Sequence, residues 1–176
     1  MKKSHMETPV IRRAVEEDIK GLIPLYAEFH DFHVHGVPDR LCNPASMTDT
    51  DETTLVNSLR SILQQDDAAI FVADAGGTLV GLAEVYLRQD EPHPLIVAHR
   101  YGYLQSLIVS TQFRRSGIGR RLVFASHRWA KERGATEMQL DIWEFREGPL
   151  HFYEHLGYRT LKRHLVVDLI DTKLAD

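Results

Sequence analysis

Leu107-Ile108-Val109-Ser110-Thr111-Gln112-Phe113-Arg114-Arg115-Ser116-Gly117-Ile118-Gly119-Arg120-Arg121-Leu122 is the most informative stretch of the chain. An apolar run ends at Val109 and a basic turn with two glycines follows. Apolar residues then recur at helical spacing (Ile118, Leu122, Trp129, Ala130), with Arg121, Arg128 and Lys131 turned outward. The pattern predicts a strand over 103–109, a tight turn over 113–117, and a helix from Ile118 that Gly134 stops as a left-handed residue. The first N–H groups of such a helix lack intrahelical partners and lie at the positive end of its dipole. Gly117 and Gly119 carry no Cβ to block a close approach. Arg114, Arg115, Arg120 and Arg121 add four positive charges. The turn is therefore expected to hold a phosphate or pyrophosphate. It is not a P-loop, since no Gly-Lys-Ser/Thr follows four spacer residues. Nor is it the dinucleotide fingerprint, since position 122 is Leu rather than a third glycine. The bland alternative is a glycine-containing turn under a solvated arginine face.

Outward from this stretch, Val10 to Arg13 reads as a first strand. A helix runs from Glu16 toward Phe29, with Ile19, Leu22, Ile23 and Tyr26 on one face and Pro24 as a kink or break. Residues 30–47 are rich in His, Pro, Asp and Asn and read as a loop. A second helix follows, with Asp49 three before Glu52 as in a capping arrangement and Leu55, Leu59, Ile62 and Leu63 on one face. Ile70 to Ala73 and Leu79 to Leu87 form a hairpin about Asp74-Ala75-Gly76-Gly77. Residues 88–100, with Pro92 and Pro94, read as a loop. Met138, Leu140 and Ile142 alternate with polar neighbours as in a strand. Pro149 opens a short helix that Gly157 ends. Residues 158–161 and 164–169 read as two final strands. This order is a single mixed α and β domain.

The chain has 176 residues, which fits one domain, and 43% hydrophobic with 26% charged residues fits a globular one. Lys plus Arg is 21 and Asp plus Glu is 25, a net charge of −4, so no nucleic-acid partner is expected for the molecule as a whole. Cys42 is the only cysteine, which excludes an internal disulfide and a thiolate metal cage and suits a reducing compartment. No apolar run spans a membrane and no signal peptide is evident, so no membrane partner and a cytoplasmic address are expected. Residues 1–7 are set apart as a disordered or tag-derived leader, 8–170 as the domain, and 171–176 as a tail. His30, His33, His35, His93 and His99 lie at spacings at which imidazoles can bind a metal, but no matching carboxylate pattern accompanies them, and no metal is expected.

Arg114-Arg115-Ser116-Gly117-Ile118-Gly119, preceded by Phe113, resembles the Arg/Gln-x-x-Gly-x-Gly/Ala signature of the GNAT superfamily of N-acetyltransferases. Leu140-Asp141-Ile142-Trp143 followed by Phe152-Tyr153-Glu154-His155-Leu156-Gly157-Tyr158 resembles that family's second signature. The resemblance covers Val10 to Leu169. It implies an α/β (α+β) single-domain GNAT-like fold. Its central sheet would be mixed and mostly antiparallel, splayed between the fourth and fifth strands, with helices on both faces. It also implies acetyl-CoA as co-substrate, no metal, and direct attack of a primary amine on the acetyl carbonyl.

By the same resemblance, Leu107, Ile108 and Val109 offer backbone groups to the pantetheine arm. The turn amides of Arg114, Arg115, Ser116, Gly117, Ile118, Gly119 and Arg120 hold the pyrophosphate. The Val109 N–H polarises the acetyl carbonyl. Tyr153 protonates the departing thiolate; the alternative is a packed aromatic beside Phe152. For the base, Glu84 is a carboxylate among apolar neighbours in Leu82-Ala83-Glu84-Val85-Tyr86, which is expected either in the cleft or on the solvent side of the hairpin. Glu144 is a second candidate. Gln105 stands where some relatives carry a glutamate and cannot be a base. Arg146 stands where relatives often carry Asn, so that role is not carried over. If residues 30–40 form part of the acceptor pocket, Glu28, Asp31 and Asp39 would draw a cationic acceptor; the alternative is a merely solvated acidic loop. The acceptor is a small-molecule or peptide amine, and a homodimer is expected. The rival reading is a non-catalytic acyl-CoA-binding regulator.

Overall fold

A computed structural model describes residues 8–43 and 49–169. The expected leader, the Asp49 side chain of the expected cap, and the tail lie outside the described residues. Five strands, β1 (Val10–Arg13), β2 (Ala68–Asp74), β3 (Leu79–Gln89), β4 (Arg100–Val109) and β5 (Glu137–Gln139), form one sheet in sequence order. The first three pairings are antiparallel and β4–β5 is parallel. Four helices, α1 (Ile19–Gly36), α2 (Asp49–Leu63), α3 (Ile118–Glu132) and α4 (Leu150–His155), cover both faces.

On one face, Leu22 and Leu25 of α1 and Leu59 of α2 pack on Ile70, Val72, Leu82 and Ile108. On the other, Ile118, Leu122 and Val123 of α3 and Tyr153 of α4 pack on Val80, Ala83 and Leu104. Burying each such Leu or Ile contributes roughly 1.5–3 kcal/mol, which outweighs any helix propensity in this chain. Gly102 lets β5 and α3 close on β4, since a Cβ there would overlap the Met138 sulfur and the Ala130 methyl.

Three expectations are corrected. The first helix does not stop at Phe29; it passes through Pro24 and runs to Gly36, preceded by a 3-10 turn over Glu16–Asp18. The polar composition of 30–36 suggests a loop, but aromatic pairs hold the helix together. His33 lies 4.4 Å from Phe29 and 5.3 Å from Phe32, ring to ring. The fifth strand is confined to Glu137–Gln139, so Leu140 and Ile142 lie beyond the ladder. The two final strands do not form within 158–169, which carries no ladder. Their composition suits strands, but β5 is three residues long and offers no edge of matching length.

The short β5 opens the sheet. It pairs only with Tyr101 to Tyr103, while β4 continues six residues further to Val109 without a strand neighbour on that side among the described residues. A bulge at Gln105, where Glu84 faces Ser106 but Val85 faces Leu104, turns the strand as it leaves β5 behind.

Candidate functional site

The open edge of β4 presents backbone groups in a fixed order. Ser110 N–H donates to the Val80 carbonyl at 2.9 Å, which makes Ser110 and Val80 a hydrogen-bonded pair. Pairs in an antiparallel ladder alternate, so Val109, opposite Gly81, turns its N–H and carbonyl away from β3, and Leu107 does the same. Both face the gap left by β5. Ile108 does not: its backbone groups join the ladder opposite Leu82 and its side chain is buried against α1. Of the three residues expected to meet the pantetheine arm, Leu107 and Val109 thus present their backbone groups to that gap.

Beyond Val109 the chain makes a 3-10 turn over Thr111–Phe113 and reaches Gly117, the N-cap of α3, at φ 82°. Arg115 also has a positive φ, 60°. Only the left-handed region lets the chain turn this sharply into a helix, which is why a glycine stands at 117. The N–H groups of Arg115, Ser116, Gly117, Ile118, Gly119 and Arg120 have no acceptor among the described residues. Six successive unpaired amides at the start of a fifteen-residue helix form an anion cradle. A Cβ at Gly117 would meet nothing within 4 Å, so the cradle faces open space.

Arg114 stands outside that set. Its own N–H is directed to Thr111 O at 3.4 Å, its Nε–H donates to the Val109 carbonyl at 3.0 Å, and Nη2 pairs with Glu28 at 3.3 Å. It fastens the turn to the strand end and is a positioning residue. The four-arginine cluster is likewise divided. Arg121 is bonded to Pro9 O at 2.8 Å, on the β1 side, and Arg120 lies over the Phe124 ring at 5.0 Å. Arg115 has no side-chain partner among the described residues and is the guanidinium free to meet a phosphate.

α4 closes the site from above. Phe152 and the Val109 side chain converge on Gly119, where a Cβ would lie in ordinary contact, 3.4 Å from the Phe152 ring and 3.7 Å from Val109. Tyr153, the next residue after Phe152, is 7% exposed and rests edge-on against Phe152 and Tyr158. The packed aromatic beside Phe152 is thus what the structure shows of Tyr153. Its hydroxyl has no hydrogen-bond partner among the described residues. Burial pushes the phenol well above its ordinary pKa, which keeps the proton on oxygen.

Glu84 does not take the solvent-side place that was its alternative. It is 5% exposed, beneath α1 rather than on the solvent side, and three hydroxyls donate to it. Tyr86 reaches Oε1 at 2.6 Å; Tyr26 and Ser106 reach Oε2 at 2.7 and 3.2 Å. Burial and the neighbouring carboxylate raise the pKa of both tyrosines. Glu144 and Arg146 are exposed in the loop after β5. Glu28 is not free to draw an amine, because it accepts from the Thr111 N–H at 2.9 Å and hydroxyl at 2.7 Å.

Sequence reasoning missed Thr111, Tyr26 and Tyr86 as parts of the site, and it gave Glu28 the wrong partner. It also missed Phe32 and Phe145, whose rings meet at 5.5 Å and join the end of α1 to the loop after β5. The i, i+3 spacing of Phe29 and Phe32 signals the first of these once the helix is extended to Gly36. Phe145 carries no such signal, because its partner is distant in sequence. Among the described residues no three His, Cys, Asp or Glu side chains stand close enough to hold a metal, and no helix is long and apolar enough to cross a membrane.

The model of the acetyltransferase (GNAT) family fits residues 23–158. The chain belongs to that family, and its reaction is acetyl transfer to an amine. It is 28% identical to an aminoglycoside N(6')-acetyltransferase type 1 of Salmonella typhimurium, over 58% of this chain and 70% of that protein. It is 29% identical to an N-alpha-acetyltransferase of Sulfurisphaera tokodaii, over 74% and 87%. Among solved structures, a Bacillus halodurans protein crystallised as a tetramutant superposes with a TM-score of 0.80 at 22% identity, covering 91% of this chain and 99% of that one. The aminoglycoside N-acetyltransferase AAC(6')-Iy, solved with CoA, superposes with a TM-score of 0.67 at 20% identity, covering 90% and 98%.

Proposed function

We propose that the donor is acetyl-CoA and that a primary amine attacks its acetyl carbonyl directly. The run of unpaired amides from Arg115 to Arg120, beside the open edge of β4, carries this reading. When bound, acetyl-CoA supplies the activated thioester; the chain supplies position and polarity. The amides of 115–120 and the Arg115 guanidinium receive the pyrophosphate. Leu107 offers its edge groups to the pantetheine arm. The Val109 N–H stabilises charge on the carbonyl oxygen. Tyr153, kept protonated by burial, gives its proton to the departing sulfur. Glu84 is the ultimate proton acceptor for the amine.

The acceptor is a small cationic amine or a protein amine, as the names of the two sequence relatives indicate for those proteins. Thiol release from acetyl-CoA, followed across an aminoglycoside, spermidine and a peptide with a free N-terminus, tests both donor and acceptor class. No release with any of the three would remove this reading.

The protein acts in the cytoplasm as a homodimer. Leu165, Val166, Val167 and Leu169 are 84, 73, 65 and 75% exposed in one short segment, and pairing between copies would cover them. Light scattering is expected at twice the 20.2 kDa chain mass, and a single-chain mass contradicts it.

A further inference from the structure

β1 is the outermost strand of the sheet, and only its inner edge is paired. The Ala14 N–H donates to the Ile70 carbonyl at 2.8 Å, which makes these two a hydrogen-bonded pair. Pairs alternate along the ladder, so Ile11 and Arg13, opposite Ala73 and Phe71, turn their backbone groups outward. The Arg13 carbonyl accepts from Arg12 Nη1 at 3.3 Å. The Ile11 N–H, the Ile11 carbonyl and the Arg13 N–H have no partner among the described residues. Such an edge is a template for a further strand.

A groove of about 580 Å³ runs between β1 and α3. Ile11, Phe71, Phe124 and Trp129 supply its apolar lining, and Phe124 is 39% exposed. The same lining carries Arg13, Arg121 and Arg128, all exposed. Arg13 donates to the Ala68 carbonyl at 3.0 Å and Arg121 to the Pro9 carbonyl at 2.8 Å, so each keeps its charge. Arg128 has no side-chain partner, and no carboxylate reaches ion-pair range of any of the three, among the described residues. Arg12 differs, because Asp18 and Asp74 neutralise it at 2.6 and 2.9 Å. Glu132, one helical turn beyond Arg128, is the one carboxylate in the lining. Three uncompensated guanidiniums on a chain of net charge −4 make a local field opposite in sign to the whole.

We propose that this groove docks an extended acidic segment of a partner protein, which pairs with the outer edge of β1 and sets its carboxylates against Arg13, Arg121 and Arg128. Side chains of an added strand alternate in direction, so every second one faces α3 and its arginines. A second copy of this chain does not fit, since pairing β1 with β1 would bring the same cations together. A polynucleotide does not fit either, since it has no row of N–H and carbonyl groups for the Ile11 and Arg13 edge. β2 and β3 separate the groove from the open edge of β4, so the surface does not rest on the acetylation reading.

The test titrates the full chain with a dye-labelled eight-residue peptide of alternating Glu and Val, followed by fluorescence anisotropy. Saturable binding is expected, at least tenfold tighter than for a Lys–Val peptide of the same pattern. Methylating every backbone nitrogen of the Glu–Val peptide keeps its charges and removes its donors, and should weaken binding about tenfold. Arg128→Glu should also weaken it about tenfold, with the fold intact by circular dichroism. Lys131→Glu makes the same charge change on α3 outside the groove lining and should stay within twofold. Absence of saturable binding would overturn the proposal. Equal binding of the methylated peptide, or equal loss in Lys131→Glu and Arg128→Glu, would do the same. So would tighter binding of oligothymidylate than of the Glu–Val peptide, which would mark a nucleic-acid surface instead.

Discussion

The carboxylate of Glu28, in the middle of α1, accepts both the N–H and the hydroxyl of Thr111, at 2.9 and 2.7 Å. The same oxygen pairs with Arg114, which holds the Val109 carbonyl. One acidic residue on a distant helix thus fixes the turn that follows β4. Glu28→Ala removes all three of these charge-assisted hydrogen bonds, each of about 1.5–3 kcal/mol. Acetyl-CoA binding should weaken roughly tenfold, measured by calorimetry, with the fold intact by circular dichroism. Unchanged affinity would show that the latch does not shape the cradle.

Gly117→Glu should abolish cofactor binding. The backbone there lies at φ 82°, where a side chain is strained, and the added carboxylate would stand against the unpaired amides. A loss of at least 100-fold in CoA affinity is expected by calorimetry. Wild-type affinity would mean the phosphates bind elsewhere.

Tyr153→Phe should lower kcat by about 10–100-fold and leave acetyl-CoA affinity within threefold. Burial raises the folded-state pKa of this phenol, so its protonated form persists above the ordinary tyrosine range. Tyr153 therefore contributes no alkaline loss of activity below about pH 10. A basic limb at pH 8 that Tyr153→Phe removes would contradict this.

Much of the fold was legible because it rests on local pattern. β1, α3, the β2–β3 hairpin and the end of α4 at Gly157 follow from periodicity, a left-handed glycine and a turn. The cradle was legible for the same reason, since Gly117 and Gly119 lie within one short segment. What was hidden depends on contacts between distant residues. Glu28 reads as a free acid until Thr111, 83 positions away, is placed beside it. Glu84 reads as ambiguous because its three hydroxyl partners lie on α1, β3 and β4. Arg114 reads as a phosphate ligand and Arg121 as a charge beside it, although folding directs one side chain to Val109 and the other to Pro9. The extent of β5 is overestimated because alternation describes a strand's faces, not the reach of its neighbour.

Glu84→Ala should destabilise the protein, since it strands three hydroxyls around a vacated carboxylate site. A loss of about 2 kcal/mol is expected, or roughly 4–8 °C in Tm for a chain of this size. Differential scanning calorimetry reads it, and a Tm within 1 °C of wild type would mean that solvent already reaches the site.

The central claim is that the amides of 115–120 hold the diphosphate of a CoA thioester. A ligand that binds only the native state raises the melting midpoint by mass action. At a hundredfold excess over Kd the gain is about 2.7 kcal/mol, or roughly 5–10 °C. Melting should therefore be followed with acetyl-CoA, CoA and ATP in turn. A clear rise with acetyl-CoA and CoA and little change with ATP is the predicted result; no rise at saturating acetyl-CoA would contradict the account.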